Sequence, residues 1–283
     1  MPPRTIPTER QKRLGSELRR LRTSAGMSAE HAAGLLGVDR GKISNMECGV
    51  RGISAERLRT LACNCGCTDE KYIEALVAMA QPGGDSWWER YRGSLPQGLL
   101  DIAELEDQAV RMRVANTVHI PGLLQTPDHA LSVFRVVVPS LPEHEIALRL
   151  AHRAERQQVI TREDPASYVA FIHEAALRME FGGRKVVRDQ LEHLLAMSER
   201  QNVVLLVIPF VQGAFPGAGQ NAMYAEGPVP QLDTVQVDSS HGPEFLYADG
   251  QLAKYRAQLD WLERLTLSPE QSRDFIREIA HHL

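Results

Sequence analysis

The sequence predicts a multi-domain fold, an all-α domain followed by a mixed α/β domain, and three observations carry that reading. Its 283 residues exceed the roughly 150 that one domain commonly uses. Charge divides the chain: residues 1–80 hold 13 basic and 9 acidic side chains, net +4, and the remainder holds 19 and 27, net −8. The hydrophobic pattern also changes, from helical spacing over the first 80 residues to short apolar runs interleaved with helical segments. The turn formers Gln81-Pro82-Gly83-Gly84-Asp85-Ser86 separate the two regimes, so the expected organisation is a domain at 1–80, a linker at 81–86 and a second domain at 87–283.

Composition sets the outer limits. With 43% apolar residues and a net charge of only −4, the chain is neither a disordered tail nor a uniformly basic coat for nucleic acid. The opening MPPRTIPTERQKR lacks the apolar run of a signal peptide, and the longest apolar run, Val203–Ile208, is far too short to span a bilayer. A cytoplasmic protein without membrane contact is expected. Cys48, Cys63, Cys65 and Cys67 crowd into one short stretch of a long chain, which fits a reducing compartment better than a disulfide framework.

The first domain reads as five short helices. Thr8 with Gln11 forms a capping-box signature, and Leu14, Leu18 and Leu21 recur at helical spacing until Ala25-Gly26. Ser28 can cap a second helix to Leu36, and Gly37 suits the tight turn after it. Asp39 can cap a third helix through Glu47, Ser54 a fourth to about Asn64, and Asp69 a fifth to Ala80. The second and third together have helix-turn-helix grammar: Ala33 is small where the helices cross, and Val38, Ile43 and Met46 are the apolar anchors. Arg40, Gly41, Lys42, Ser44 and Asn45 then face outward, and Arg and Asn are suited to bidentate contacts with guanine and adenine in a major groove. The alternative is a plain helical bundle whose arginines only solvate its surface. Arg4, Arg10, Lys12 and Arg13 read either as an arm in the minor groove or as a soluble tail.

These residues resemble the XRE-type helix-turn-helix domain of the Cro and phage-repressor class, a lambda-repressor-like fold. The shared phrases are Leu18-Arg-Arg-Leu-Arg22, Gly26-Met-Ser28, Leu36-Gly-Val38, Ile43-Ser44 and Glu47-Cys-Gly49. The resemblance implies that Arg40, Gly41, Ser44 and Asn45 face the groove and that Glu47 holds the backbone after the recognition helix; Ser28, Lys42 and Arg51 are the further candidates for DNA contact. Ala29 stands where the family commonly has a phosphate-touching Gln, and Gly34 and Gly41 each lower helix propensity by about 1 kcal/mol relative to Ala. The spacing C-x-C-x-C argues against a zinc site and for ordinary small residues, with Cys67 in a core position.

In the second domain, helices are expected at about 99–113, 123–136 and 143–162, the last opened by a capping box at Ser140. Tyr168 to His173 and Val203 to Ile208 read as buried strands around a helix at about 184–200, a β-α-β unit. Shorter strands near 221–225, 234–238 and 244–247 and helices at 249–266 and 269–282 complete it. Trp87-Trp-Glu-Arg-Tyr91, Pro121-Gly-Leu-Leu-Gln-Thr126, Glu174-Ala-Ala-Leu-Arg178, Gln190-Leu-Glu-His-Leu-Leu195, Val207-Ile-Pro-Phe210 and Leu267-Ser-Pro-Glu-Gln-Ser-Arg273 are similar to actinobacterial XRE regulators with a C-terminal domain of unknown function. That resemblance implies transcriptional control, a small acidic partner protein and a toxin-antitoxin-like pairing.

No catalytic frame is present. His119, His173 with Glu174, and His241 with Glu244 lie in separate segments, and Gly213-Ala-Phe-Pro-Gly-Ala-Gly219 lacks the lysine of a phosphate loop. No enzyme, cofactor or metal is expected. Glu174 with Arg178 is the candidate ligand or partner contact, or else a salt bridge within its turn; Trp87, Trp88 and Tyr91 read as packing residues. The function expected is a homodimeric regulator reading a pseudo-palindromic operator in double-stranded DNA, with a second domain that senses. Two alternatives stand beside it, an antitoxin-like interaction protein and a small-molecule receptor.

Overall fold

The computed structural model describes residues 7–81 and 86–283. It divides into two compact units, one running through Arg90 and including Pro228–Gln231, the other Tyr91–Gly227 with Leu232–Leu283. Residues 82–85 of the expected linker, and Arg4, lie outside the described residues.

The first unit is built from α1 (Glu9–Ser24), α2 (Ala29–Leu36), α3 (Arg40–Glu47), α4 (Ala55–Asn64) and α5 (Glu70–Ala80). Each starts at the cap the sequence announces: Thr8 with a full capping box, then Ser28, Asp39, Ser54 and Asp69, every one accepting a backbone N–H three residues on. Leu14, Leu18, Leu36, Ile43, Met46, Leu58, Leu61 and Leu76 fill its centre. The buried Glu17 carboxylate is held by Arg13 and Arg20 at 2.8 and 2.6 Å and by the Tyr72 hydroxyl, which ties α1 to α5. Arg10 donates to the carbonyls of Ala78 and Met79 at the end of α5, and Lys12 pairs with Glu9. Arg10, Lys12 and Arg13 are therefore bound into the helical body, not extended as an arm.

In the second unit, α6 (Gln97–Gln108) precedes β1 (Arg111–Asn116), and a 3-10 turn at Gly122–Leu124 leads to α7 (Pro127–Arg135), α8 (Glu143–Arg156) and α9 (Gln158–Thr161). The β-α-β unit follows as β2 (Ser167–His173), α10 (Glu174–Arg178), α11 (Arg184–Met197) and β3 (Val203–Ile208). Then come β4 (Ala222–Glu226), β5 (Thr234–Ser239), β6 (Gly242–Leu246), α12 (Asp249–Leu265) and α13 (Pro269–His282). The six strands form one sheet in the order β3-β2-β1-β4-β5-β6, with β3, β2 and β1 parallel and the β1–β4, β4–β5 and β5–β6 pairs antiparallel. Met112, Val114, Ala170, Ile172, Leu205 and Val207 pack one face against α11 and α13, and Val169, Phe171, Leu206 and Val235 pack the other against α12. This is the mixed α/β architecture expected from the sequence.

Three local expectations are corrected. The helix expected through Arg113 ends at Gln108, and residues 111–116 form β1 at the centre of the sheet. The obstacle was Arg113, an apparently solvent-facing residue that is 5% exposed because Asp260 and Glu263 of α12 take its guanidinium at 2.7 and 3.1 Å. The helix after Ser140 begins at Glu143 with Pro142 at its cap and no side-chain cap hydrogen bond. Cys67 is half-buried, not a core residue.

Buried histidines make this unit sensitive to acid. His129 is 1% exposed and burial pulls its pKa down to about 4; burial likewise lowers His152 to about 3. Both are neutral in the fold, whereas the unfolded chain takes up protons below the ordinary value of 6.5. Stability is therefore complete above about pH 6.5 and declines as the pH falls from there towards 4. Between pH 7 and pH 5, His129 alone should remove roughly 2 kcal/mol, seen as a falling Tm in calorimetry that His129→Phe flattens.

Candidate nucleic-acid interface

The outward surface of α3 depends on how that helix is seated. Its N-terminus is fixed by Asp39, which accepts from Lys42 N at 2.8 Å, and its inner side by Ile43 and Met46, 4% and 3% exposed. Helix α1 crosses the far end so closely that a Cβ on Gly15 would stand 2.6 Å from the Glu47 carbonyl oxygen. The chain then turns at Gly49, whose φ of +74° favours glycine and whose Cβ position would lie 2.7 Å from the backbone of Gln11. Arg22, near the end of α1, closes the arrangement: Nε and Nη2 donate to the two Glu47 carboxylate oxygens at 2.5 and 3.0 Å, and Nη1 donates to the Met27 carbonyl at 2.8 Å. This charge-assisted fork raises the Arg22 pKa, its hydrogen bond to Glu47 being the main cause. One side chain thus joins α1, the turn before α2 and the end of α3.

Arg40, Gly41, Ser44 and Asn45 come out on one exposed face, since residues three and four apart share a side of a helix. Among the described residues, the side chains of Arg40, Ser44 and Asn45 make no hydrogen bond or ion pair within the protein, nor does that of exposed Arg51. Their donors are open to an external partner. Lys42 differs, being half-buried with its ammonium 2.8 Å from the Asp39 carboxylate, a contact that lowers the Asp39 pKa. Ser28 uses its hydroxyl to cap α2. Gly41 leaves 3.2 Å between its Cβ position and Asp39 Oδ1, so its cost in helix propensity is accompanied by clearance for the cap. A short helix locked by its neighbours, with Arg and Asn free on its leading face, has the dimensions and donors for a major groove.

The other sequence candidates are dispersed. Glu174 and Arg178 meet each other at 2.7 Å, and the second Glu174 oxygen accepts the Phe210 N–H at 2.8 Å, so this carboxylate ties α10 to the turn after β3. His173 accepts the Ala175 N–H as the cap of α10, His119 packs on Phe181, and His241 lies in the turn between β5 and β6. The loop from Gly213 to Gly219 leads into β4 and opens no helix. Cys48 and Cys63 are exposed, Cys65 and Cys67 half-buried, all as free thiols. Sequence reasoning missed Gly15, Arg22 and Glu17; a glycine within an amphipathic helix was the available sign of the first.

The first unit is thus a helix-turn-helix module, a class that binds DNA, and a helix-turn-helix domain model matches residues 13–72. The chain belongs to the family described as a domain of unknown function (DUF5753), whose model matches residues 99–278. Neither curated proteins nor solved structures match the chain.

Two substitutions probe the seating of α3. Gly15→Ala should cost about 2 kcal/mol because a methyl group would press on backbone that cannot yield. Arg22→Met leaves the Glu47 carboxylate, 11% exposed, without its fork and should cost roughly 2–3 kcal/mol. Urea unfolding of the full chain followed by circular dichroism measures both.

Proposed function

We propose that the protein is a cytoplasmic, sequence-specific transcriptional regulator that binds DNA as a dimer. The observation that carries this reading is the face of Arg40, Ser44 and Asn45, unpaired among the described residues, on a helix held rigidly by Arg22 and Glu47. Arg40 and Asn45 read base edges; Gly41 lets the backbone approach; Ser28, Lys42 and Arg51 meet phosphates. Two copies spaced for successive major grooves, about 34 Å apart, read the two halves of a pseudo-palindromic operator. Residues 1–80 are the DNA-binding domain, and the domain at 87–283 supplies the signal, as a receptor whose occupancy changes the affinity of the dimer for DNA. The absence of a catalytic frame among the sequence motifs favours regulation over enzymatic activity.

A second reading is supported by one patch in the second unit. Phe210 and Val211 are 55% and 89% exposed beside Arg178, whose partner Glu174 also binds Phe210 N. An apolar surface edged by a guanidinium suits a small acidic partner protein, as in the antitoxin-like pairing that the resemblance to actinobacterial regulators implies, with Glu174 and Arg178 at the contact.

Fluorescence anisotropy on the protein's own promoter and on a scrambled duplex, across a salt series, tests the first reading. Arg40→Ala and Asn45→Ala should each lose about 1–3 kcal/mol of discrimination, and Lys42→Ala should lower affinity for both duplexes alike while reducing the salt slope. Equal, salt-labile binding to both duplexes would overturn sequence-specific recognition.

A further inference from the structure

Buried charges in proteins are paired, because desolvating an uncompensated ion is costly. The second unit holds a half-buried guanidinium that no carboxylate touches directly among the described residues. Arg153 on α8 makes one hydrogen bond among the described residues, from Nη1 to Gln125 Oε1, and its Nε is shielded from solvent without a partner. Glu106 and Asp238 stabilise its charge only through space, without direct contact among the described residues. Arg156 is committed to Glu106 at 2.6 Å and Arg149 to Glu145 at 2.7 Å; Asp238 is exposed, bonds Gln236 at 2.8 Å and makes no ion pair with Arg153 among the described residues. The Phe134 ring, 4.5 Å away, offers only a partial offset.

Two histidines share this environment. Among the described residues, His129, 1% exposed, has neither ring nitrogen hydrogen-bonded, and His119 Nδ1 is buried without a partner; both rings pack on Phe181. Gly122 lies in front of the guanidinium groups, where a Cβ would stand 3.9 Å from both Arg153 Cζ and Arg156 Nη2. The first volume a side chain would fill there is thus bounded by two cations. Burial draws Arg153 down to about 9, so it remains charged at neutral pH.

We infer that the second unit binds a small organic anion, its carboxylate or phosphate group on the free Nε edge of Arg153 and its hydrogen bonds completed by His119 and His129. The flanking rings of Phe134 and Phe181 suit an apolar or planar body on that anion. Such a ligand supplies in direct contact the negative charge that Glu106 and Asp238 exert only from a distance. This inference gives chemical content to the receptor role proposed above, but its test uses no DNA, so failure of ligand binding and failure of operator binding are read separately.

The experiment is thermal unfolding of the full chain at pH 7.5 in benzoate, inorganic phosphate and, as a neutral counterpart, benzamide. Benzoate or phosphate should raise Tm by about 5 °C near saturation, and benzamide should leave it unchanged. A response to phosphate alone assigns a phosphate-bearing ligand, and one to benzoate alone a carboxylate. Arg153→Met should abolish the shift while exposed Arg184→Met retains it. Gly122→Val, which fills the space and keeps the charge, should also abolish it. Because Arg153→Met can weaken the fold, the Arg153 Nε–H resonance of the unaltered protein gives a second reading and should move on benzoate addition. No shift in Tm or resonance with either anion, or an undiminished response in both Arg153→Met and Gly122→Val, would overturn the inference.

Discussion

Where α1 crosses the end of α3 there is no space for a methyl group, and the geometry of the exposed face of α3 follows from that contact. A helix of eight residues has almost no stability of its own, because its nucleus is costly and its ladder short. What fixes α3 is external: a glycine against its last carbonyls, a glycine in the left-handed region after it, and the Arg22–Glu47 fork across its base. With the inner side so constrained, Arg40, Ser44 and Asn45 are left in a defined orientation facing away from the body. Rigidity on one side of the helix is what the proposed readout on the other requires, since a base-reading side chain discriminates only when its backbone is held.

The second unit uses polar groups for the same purpose. Gln190 accepts the Thr126 N–H and donates to the Leu124 carbonyl, at 2.8 and 2.7 Å, and Gln125 donates to the Ile120 carbonyl at 2.7 Å. The phrase from Pro121 to Thr126 is thereby clamped in an irregular path that no regular ladder could satisfy. Glu174 does comparable work after β2. Several distinctive phrases of this domain are ties of this kind, and the unpartnered nitrogens of Arg153, His119 and His129 stand out against the bonded glutamines beside them.

What could be read in the sequence was whatever depended on near neighbours. Thr8, Ser28, Asp39, Ser54 and Asp69 act within three residues, so the helices of the first unit were placed almost to their ends. The β-α-β unit was legible for the same reason, its strands being continuous apolar runs. Contacts between distant segments were not. Arg113 looked like a surface residue until α12, some 150 positions later, supplied two carboxylates, and with it β1 was hidden inside an apparent helix. The exposed face of α3 was legible from helical period, but Gly15 and Arg22, which hold that face in place, act through residues about 25 to 30 positions away. The proximity of His119, His129 and Arg153 likewise joins a loop and two helices that share no periodic signal.

Strand β3 lies at the edge of the sheet, and its exposed rim is finished by a segment made much later. Val207 donates to the Ser272 hydroxyl at 2.9 Å and accepts from Leu267 N at 3.0 Å, while α13 covers the apolar side of the strand. During synthesis the helix-turn-helix module has all of α1 to α5 available early, but β3 emerges roughly 60 residues before the helix that caps it. For that interval an apolar strand with an unsatisfied edge is open to any other chain, the condition under which nascent proteins associate wrongly. The order of synthesis thus leaves the second unit to close the edge of its sheet last, after all five helices of the first unit have been made.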